Sequence, residues 1–214
     1  MTDPHLFQEV EEDLERQKLE ALWKKYGFWI IVAALGIVLS TASSTAYRSW
    51  KASHDAKVTT AFLFASRLLP DTSKNIEALQ KFAEENAKES HAALALLRAG
   101  SLALRHNDRS KAIEFFDKVA IDTQADPAVR QLGALLSVQA QLDTGASAEL
   151  AARLQPLADE DSAWRFSARE MQGYVALRAG DRAQARKIFI PLSQDVRAPR
   201  SIAQRAADIL RTLN

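Results

Sequence analysis

The side chains best able to do chemistry in this sequence are its histidines and its runs of adjacent carboxylates. The histidines show none of the spacings that bind a metal, and they lie at His5, His54, His91 and His106. The carboxylate runs are typical of solvated helix ends, and they lie at Glu84-Glu85 and Asp159-Glu160-Asp161. No glycine-rich phosphate loop, nucleophile elbow or zinc-peptidase motif occurs, and there is no cysteine to supply a thiolate. We therefore predict a protein that is not an enzyme and that uses no cofactor, metal or small-molecule substrate.

Composition narrows the class of protein further. The chain has 214 residues and a net charge of +1, which gives no reason to expect nucleic acid as a partner. It has only six prolines and seven glycines, and alanine, leucine, arginine, glutamine and glutamate are abundant. These residues favour helix, and no segment alternates in the manner of a strand. The predicted fold class is all-α.

Residues 26–47 form an uncharged stretch between Lys25 and Arg48. As a helix this stretch would be roughly 33 Å long, enough to cross a hydrocarbon core of about 30 Å. Aromatic residues gather near both ends, as they do at headgroup depth, and they are Trp23, Tyr26, Trp29, Tyr47 and Trp50. We predict a single N-terminal transmembrane helix over residues 26–47.

This stretch has two other interpretations. A buried helix of a soluble core gives no reason for aromatic residues at both ends. A cleaved secretory signal would use the apolar run Phe28–Leu39 and a small-residue site at Ser44-Thr45-Ala46, but it would begin with a short basic segment. Here the 25 preceding residues carry more acids than bases, so an uncleaved anchor is favoured.

The flanks of the predicted anchor suggest two contact surfaces. Residues 1–25 are charged, with apolar positions near one helical face, and are predicted to be either an amphipathic extension of the anchor or a docking helix for a membrane partner. Within the anchor, Gly36, Ser40 and Ser44 recur every four residues. Such a stripe of small residues lets another membrane helix approach closely.

Residues 48–214 change to a succession of short amphipathic helices. The predicted spans are 53–69, 73–89, 91–106, 109–122, 127–143, 147–158, 163–179, 182–194 and 199–213. Breaks between them contain helix-start and helix-stop residues such as Asn107-Asp108, Asp126-Pro127 and Gly180-Asp181. Regular recurrence of helix pairs predicts a solenoid, since each pair needs a neighbour to cover its apolar face.

Two helix pairs can be overlaid at an offset of 73 residues. The first pair supplies Gly100, Leu104, Arg105, Asp108, Arg109, Ala112 and Phe116. The second supplies Gly173, Leu177, Arg178, Asp181, Arg182, Ala185 and Phe189, and Gly133 lies between the pairs. Small residues at a helix crossing allow close approach, and a phenylalanine fills the space beside them. This pattern resembles the tetratricopeptide repeat, with a small residue in the first helix and an alanine and an aromatic residue in the second.

Repeats of this kind usually offer the wall formed by their first helices to a partner. That wall is predicted to carry Leu97, Ser101, Leu104, Arg105, Arg130, Ala134, Ser137, Glu170, Tyr174, Leu177 and Arg178. Arginine and tyrosine suit partner contact because they combine large area with directed hydrogen bonds.

The whole layout, including the FWIIVAALGIV and RAGDRAQARKIF segments, is similar to the membrane-anchored, tetratricopeptide-like ancillary subunits of the bacterial SecYEG translocon. The resemblance implies a single-pass inner-membrane protein, with residues 1–25 cytoplasmic and the repeat domain in the periplasm. It also implies a role in linking exported clients to periplasmic chaperones. The alternative is an anchored scaffold for envelope assembly or cell division without contact to the translocon. Flanking charges tie at four on each side, so orientation follows from the resemblance alone.

Overall fold

The computed structural model describes the backbone of residues 4–67 and 72–213, and the side chains of residues 4–22, Ile30, Ala33 and Ala34 are outside the described set. Nine helices and no strand occur in the described residues, which confirms the all-α prediction. The helices are α1 Pro4–Ala65, α2 Thr72–Glu85, α3 Ser90–Arg105, α4 Arg109–Ile121, α5 Pro127–Gln141, α6 Ser147–Leu154, α7 Arg165–Arg178, α8 Arg182–Gln194 and α9 Arg200–Thr212.

The largest differences from the predicted helix boundaries occur in α1, α2 and α6. Helix α1 runs without interruption into the predicted helix at 53–69, because residues 48–53 contain neither proline nor glycine. Helix α2 ends at Glu85, where the Asn86 side chain donates to the Phe82 carbonyl at 2.9 Å. Helix α6 ends at Leu154 rather than at 158, because Pro156 has no backbone N–H to donate to the carbonyl one turn back.

The chain divides into two compact units, Met1–Ala56 and Lys57–Asn214. The first unit is the larger part of α1, and its apolar side chains are mostly exposed, including Phe28, Trp29, Leu39 and Trp50. The predicted charged segment 1–25 is helical from Pro4, and its side chains up to residue 22 lie outside the described set.

The predicted transmembrane helix at 26–47 is not confirmed. Among the described residues, no helix meets the length and apolar character that crossing a bilayer requires. Three positions within the predicted span, Ile30, Ala33 and Ala34, have side chains outside the described set.

The second unit is built by helices that pack on their neighbours in the chain. Each helix from α2 onward contacts the next one, and the first helices of successive pairs also meet, α3 with α5 and α7 with α9. The core forms three clusters in sequence along this unit, from the end of α1 to α5, from α5 to α7, and from α7 to α9. This nearest-neighbour packing is the architecture of a helical-repeat solenoid.

The helix crossings follow the predicted repeat. Phe116 and Phe189 are fully buried, as are Ala112 and Ala185. A β-carbon added to Gly100 would lie 2.5 Å from Phe116 Cε1, and one added to Gly173 would overlap the Phe189 ring. Only glycine leaves room for a phenyl ring at this distance, so the predicted packing role of both glycines is confirmed.

The repeat also extends into the turn between the paired helices. Asp108 and Asp181 cap α4 and α8 by accepting hydrogen bonds from the backbone N–H groups of Lys111 and Gln184, at 3.0 and 2.8 Å. The residues just before them, Asn107 and Gly180, both have positive φ, at 60° and 78°. Both helix pairs therefore have, 73 residues apart, a residue in the left-handed backbone conformation followed directly by an N-cap aspartate.

This equivalence predicts opposite effects for two substitutions at matched positions. Gly180→Ala should lower the free energy of unfolding by about 1 kcal/mol, because a β-carbon is disfavoured at positive φ. Asn107→Gly should leave it unchanged or raise it slightly, because glycine removes that penalty. Urea denaturation of the full chain, followed by circular dichroism, measures both. A loss of stability in Asn107→Gly equal to that in Gly180→Ala would contradict the shared turn geometry.

Candidate functional site

Most of the side chains predicted to face a partner pack inside the repeat domain instead. Leu97 is a core residue with only 8% of its surface exposed, and Leu104 and Leu177 pack against the core clusters. Ser137 is fully buried, and its hydroxyl oxygen accepts hydrogen bonds from Gln141 and Arg153. These four positions therefore differ from the expected solvent-facing wall, because the neighbouring pair covers that side of each first helix.

Glu170 lies in an ion pair rather than on an open surface. Its carboxylate accepts two hydrogen bonds from Arg205 of α9, at 2.6 and 2.7 Å, and the Tyr174 hydroxyl donates to it at 3.3 Å. The Tyr174 ring packs edge-on against Phe189, with the ring centroids 5.7 Å apart. Burial raises the pKa of Tyr174, and the neighbouring Glu170 carboxylate raises it further. The hydrogen bonds from Arg205 to Glu170 raise the pKa of Arg205.

Arg178 is exposed, and it joins α7 to the loop between α5 and α6. Its guanidinium donates to the carbonyls of Leu142 and Gly145 and, at 3.0 Å, to the Ser147 hydroxyl. These acceptors are two backbone carbonyls and a hydroxyl, so the arginine holds the loop in place through neutral acceptors.

The remaining predicted positions stay open to different degrees. Ser101 and Arg105 are exposed, and Arg130 and Ala134 are half-buried. In the first unit Gly36, Ser40 and Ser44 are exposed, and an added β-carbon at Gly36 would meet no atom within 4 Å. The Ser44 hydroxyl donates to the Thr41 carbonyl at 3.0 Å.

Polar contacts between helices recur at a separation of about one repeat. Arg153 pairs with Asp117 at 2.5 Å, 36 residues before it. Trp164 Nε1 donates to the Ala128 carbonyl at 2.7 Å, also across 36 residues, and Arg205 reaches back 35 residues to Glu170. These contacts fix one helix pair on the next and keep the surfaces between pairs in a defined geometry.

Glu160 shows a similar arrangement on the surface. The sequence predicts a solvated helix end at this residue. In the structure its carboxylate contacts three guanidinium groups, those of Arg169 at 2.8 Å, Arg197 at 3.3 Å and Arg165 at 3.9 Å. The hydrogen bond from Arg169 lowers the pKa of Glu160, and the charges of the other two arginines act in the same direction. The cluster links the start of α7 to the loop between α8 and α9.

The repeat domain contains a groove that the sequence did not predict. It has a volume of about 510 Å³ and lies between α6 and α8, with α7 between them. Its apolar lining comes from Ala148, Ala151, Val175, Ala176, Ala179 and Ile188. Helix α6 has 8 residues, whereas the corresponding helices α4 and α8 have 13 each. The groove lies along the seam between the second and third core clusters, to which Val175 and Ala176 belong.

Polar groups complete the lining of this groove. They are the side chains of Ser147, Gln155, Gln172 and Gln184, together with the carboxylate of Asp181. The Gln172 amide nitrogen donates to the Gln155 amide oxygen at 3.3 Å, which joins α7 to the end of α6. The lining residues are spread over three helices, so no local sequence pattern groups them.

The packing of the helix pairs defines the class of protein. Stacked helix pairs with a glycine and a buried phenylalanine at the crossing form a tetratricopeptide-like solenoid. The family model described as a tetratricopeptide repeat-like domain matches residues 20–197, and the chain belongs to that family. A search of the curated proteins and a search of the solved structures returned no match. Tetratricopeptide-like domains are typically non-catalytic scaffolds that mediate contacts between proteins.

Proposed function

We propose that this protein is a membrane-tethered interaction scaffold, and that its tether lies beside the SecYEG translocon, where the repeat domain links exported clients to periplasmic chaperones. The observation that carries the scaffold role is the match of a tetratricopeptide repeat-like family model to residues 20–197. The placement beside the translocon extends that role and is supported by the similarity of the sequence layout to the translocon's ancillary subunits. In this arrangement residues 1–25 are cytoplasmic and the repeat domain is periplasmic.

Side-chain chemistry in the first unit supports the tether. Phe28, Trp29 and Leu39 are each about two-thirds exposed or more, at 72%, 67% and 65%. The hydroxyls of Thr41 and Thr45 donate to carbonyls one turn back in α1, at 2.9 and 2.8 Å. Hydroxyls bonded in this way present no unsatisfied donor to an apolar medium, so this part of α1 suits hydrocarbon better than water.

Topology and neighbours can be tested together in cells. A protease added to spheroplasts should digest the repeat domain, while a tag placed before Trp23 should stay protected. A photocrosslinking residue at Ser40 or Ser44 should capture a translocon subunit, because small residues there allow a second helix to approach. The same residue at Val38 is the control, since this exposed side chain lies on the opposite side of α1 from that stripe.

Each outcome of this experiment has a separate meaning. Digestion of the tag instead of the domain would contradict the proposed orientation. Recovery of the full chain in the soluble fraction after carbonate extraction would contradict the tether. Correct topology with no translocon crosslink would favour the alternative, an anchored scaffold for envelope assembly or cell division.

The scaffold role itself can be examined at exposed positions of the repeat domain. Crosslinking residues at Ser101 and Arg105, which are exposed on α3, should capture a periplasmic chaperone or an exported client. A crosslinking residue in place of Ala152, which is exposed on α6, serves as the comparison because it lies outside the predicted wall. Equal capture at all three positions would indicate non-specific labelling and would contradict binding through this wall.

A further inference from the structure

The groove between α6, α7 and α8 has the dimensions and the apolar lining of a binding site. Its volume of about 510 Å³ lies within the range of about 300–1,000 Å³ typical of ligand pockets. Ala148, Ala151 and Ala179 are exposed along its walls, and their small side chains let a partner's backbone approach closely. At its base Val175 and Ala176 belong to the second and third core clusters, so a bound apolar side chain would extend the core of the repeat domain.

The polar lining matches a peptide backbone. The amides of Gln155, Gln172 and Gln184 each carry a donor and an acceptor, as each peptide unit does. Gln155 and Gln184 are exposed, and they stand on α6 and α8, the two walls of the groove. A polypeptide segment in the groove could therefore keep its backbone hydrogen bonds while burying its side chains against the alanines.

The charges of the lining define which segment fits. Among the described residues that line the groove, Asp181 is the one with a charge, and its carboxylate accepts a hydrogen bond from the Gln184 N–H at 2.8 Å as the cap of α8. That charge is offset by the positive end of the helix dipole. An acidic side chain of a partner would lose water in the groove without gaining a counter-charge, and that loss is costly. A basic side chain would meet only Asp181, whose carboxylate already accepts the capping hydrogen bond of α8. An uncharged segment has no such cost.

We propose that this groove binds a short, uncharged, apolar segment of a partner polypeptide. The proposal rests on the scaffold function and names one surface and one partner chemistry for it. None of the residues predicted from the sequence to face a partner lines this groove, so it is a second contact surface beside the predicted wall.

Peptide binding to the full chain tests this proposal. The probe is the fluorescein-labelled peptide Gly-Ser-Leu-Ala-Val-Leu-Ser-Gly, followed by fluorescence anisotropy. Two further peptides carry aspartate or lysine in place of the central Ala-Val. We expect the neutral peptide to bind at least tenfold more tightly than either charged peptide. Equal affinity for the lysine peptide would overturn the proposal, since it would indicate electrostatic attraction to Asp181 instead of burial in an apolar groove.

Two adjacent alanines provide matched variants. Ala151 and Ala152 are both exposed on α6, and only Ala151 lines the groove. Ala151→Trp should fill the groove and weaken binding of the neutral peptide at least tenfold, whereas Ala152→Trp should change it less than twofold. Ala148→Glu is a second blocking variant, at an exposed lining position in the first turn of α6, where an acidic residue is compatible with the helix. Circular dichroism of each variant establishes that the fold is retained.

The remaining outcomes separate this proposal from the scaffold function. Equal affinity of the Ala151 and Ala152 variants, or no binding of the neutral peptide, would overturn the groove proposal, while crosslinks from Ser101 or Arg105 would still support the scaffold. A change in sedimentation of the full chain on Ala151→Trp would identify a second copy as the occupant and would also overturn it. If the neutral peptide binds but crosslinking residues at Ser101 and Arg105 capture no partner in cells, the result would contradict the scaffold function alone.

Discussion

Replacing Gly173 with alanine is expected to lower the free energy of unfolding by about 2 kcal/mol, and replacing it with leucine by about 3 kcal/mol. The added β-carbon would overlap the ring of Phe189, which is fully buried and has no free space into which it could move. In most helix interiors the same change to alanine stabilises the helix by up to about 1 kcal/mol. The sign of the effect is therefore diagnostic of the crossing between α7 and α8. Urea denaturation of the full chain, followed by circular dichroism, measures it.

Two further variants show whether the loss comes from this contact. Gly36→Ala is the matched control, because an added β-carbon there meets no atom within 4 Å, and stability of the repeat domain should not fall. Phe189→Leu creates space beside position 173, so the double variant should lose less than the sum of the two single losses. Simple additivity in this cycle would show that Phe189 does not set the requirement for glycine.

Arg205→Ala is expected to lower the free energy of unfolding by about 2–3 kcal/mol. Removing one partner of a fully buried ion pair costs about 3–5 kcal/mol, because the other charge remains without compensation. Here the Glu170 side chain is only 9% exposed, whereas that of Arg205 is 51% exposed, which reduces the expected cost. The variant should also loosen α9, since the pair joins this last helix to α7.

A control for this variant lies on the same helix. Arg211 pairs with Asp208 three residues before it, and both side chains are more than half exposed. Arg211→Ala should change stability by less than about 0.5 kcal/mol. The double variant Glu170→Met/Arg205→Met should recover much of the loss, because an apolar pair leaves no buried charge. Equal destabilisation by the two arginine variants would contradict a special role for the Glu170 ion pair.

The positions of the helices in the repeat domain could be predicted from the sequence because their signals are local. Asp108, Asp126 and Asp181 each cap a helix by accepting a hydrogen bond from a backbone N–H two or three residues later. Such bonds depend on a few consecutive residues, whatever the rest of the chain does. The 73-residue offset likewise predicted which glycines and phenylalanines meet, because the repeat places equivalent residues at equivalent crossings.

The contact surfaces depended on the tertiary structure. Leu97 and Glu170 were expected to face a partner, and the fold buries the first in the core and pairs the second with Arg205, 35 residues away. Whether a side chain of a first helix is covered depends on how far each pair rotates relative to the next. Small differences in packing set that rotation, and no local pattern encodes it.

The groove illustrates the same division between local and tertiary information. By itself the sequence determined an all-α chain of stacked helix pairs, although its pattern predicted that α6 would continue to 158 and the helix ends at Leu154. Only the tertiary structure showed that a groove follows the seam between two core clusters and that Gln155, Gln172 and Gln184 all line it. Helix ends are set by bonds between near neighbours, whereas a groove is formed by surfaces of three helices whose spacing depends on the packing of the whole domain.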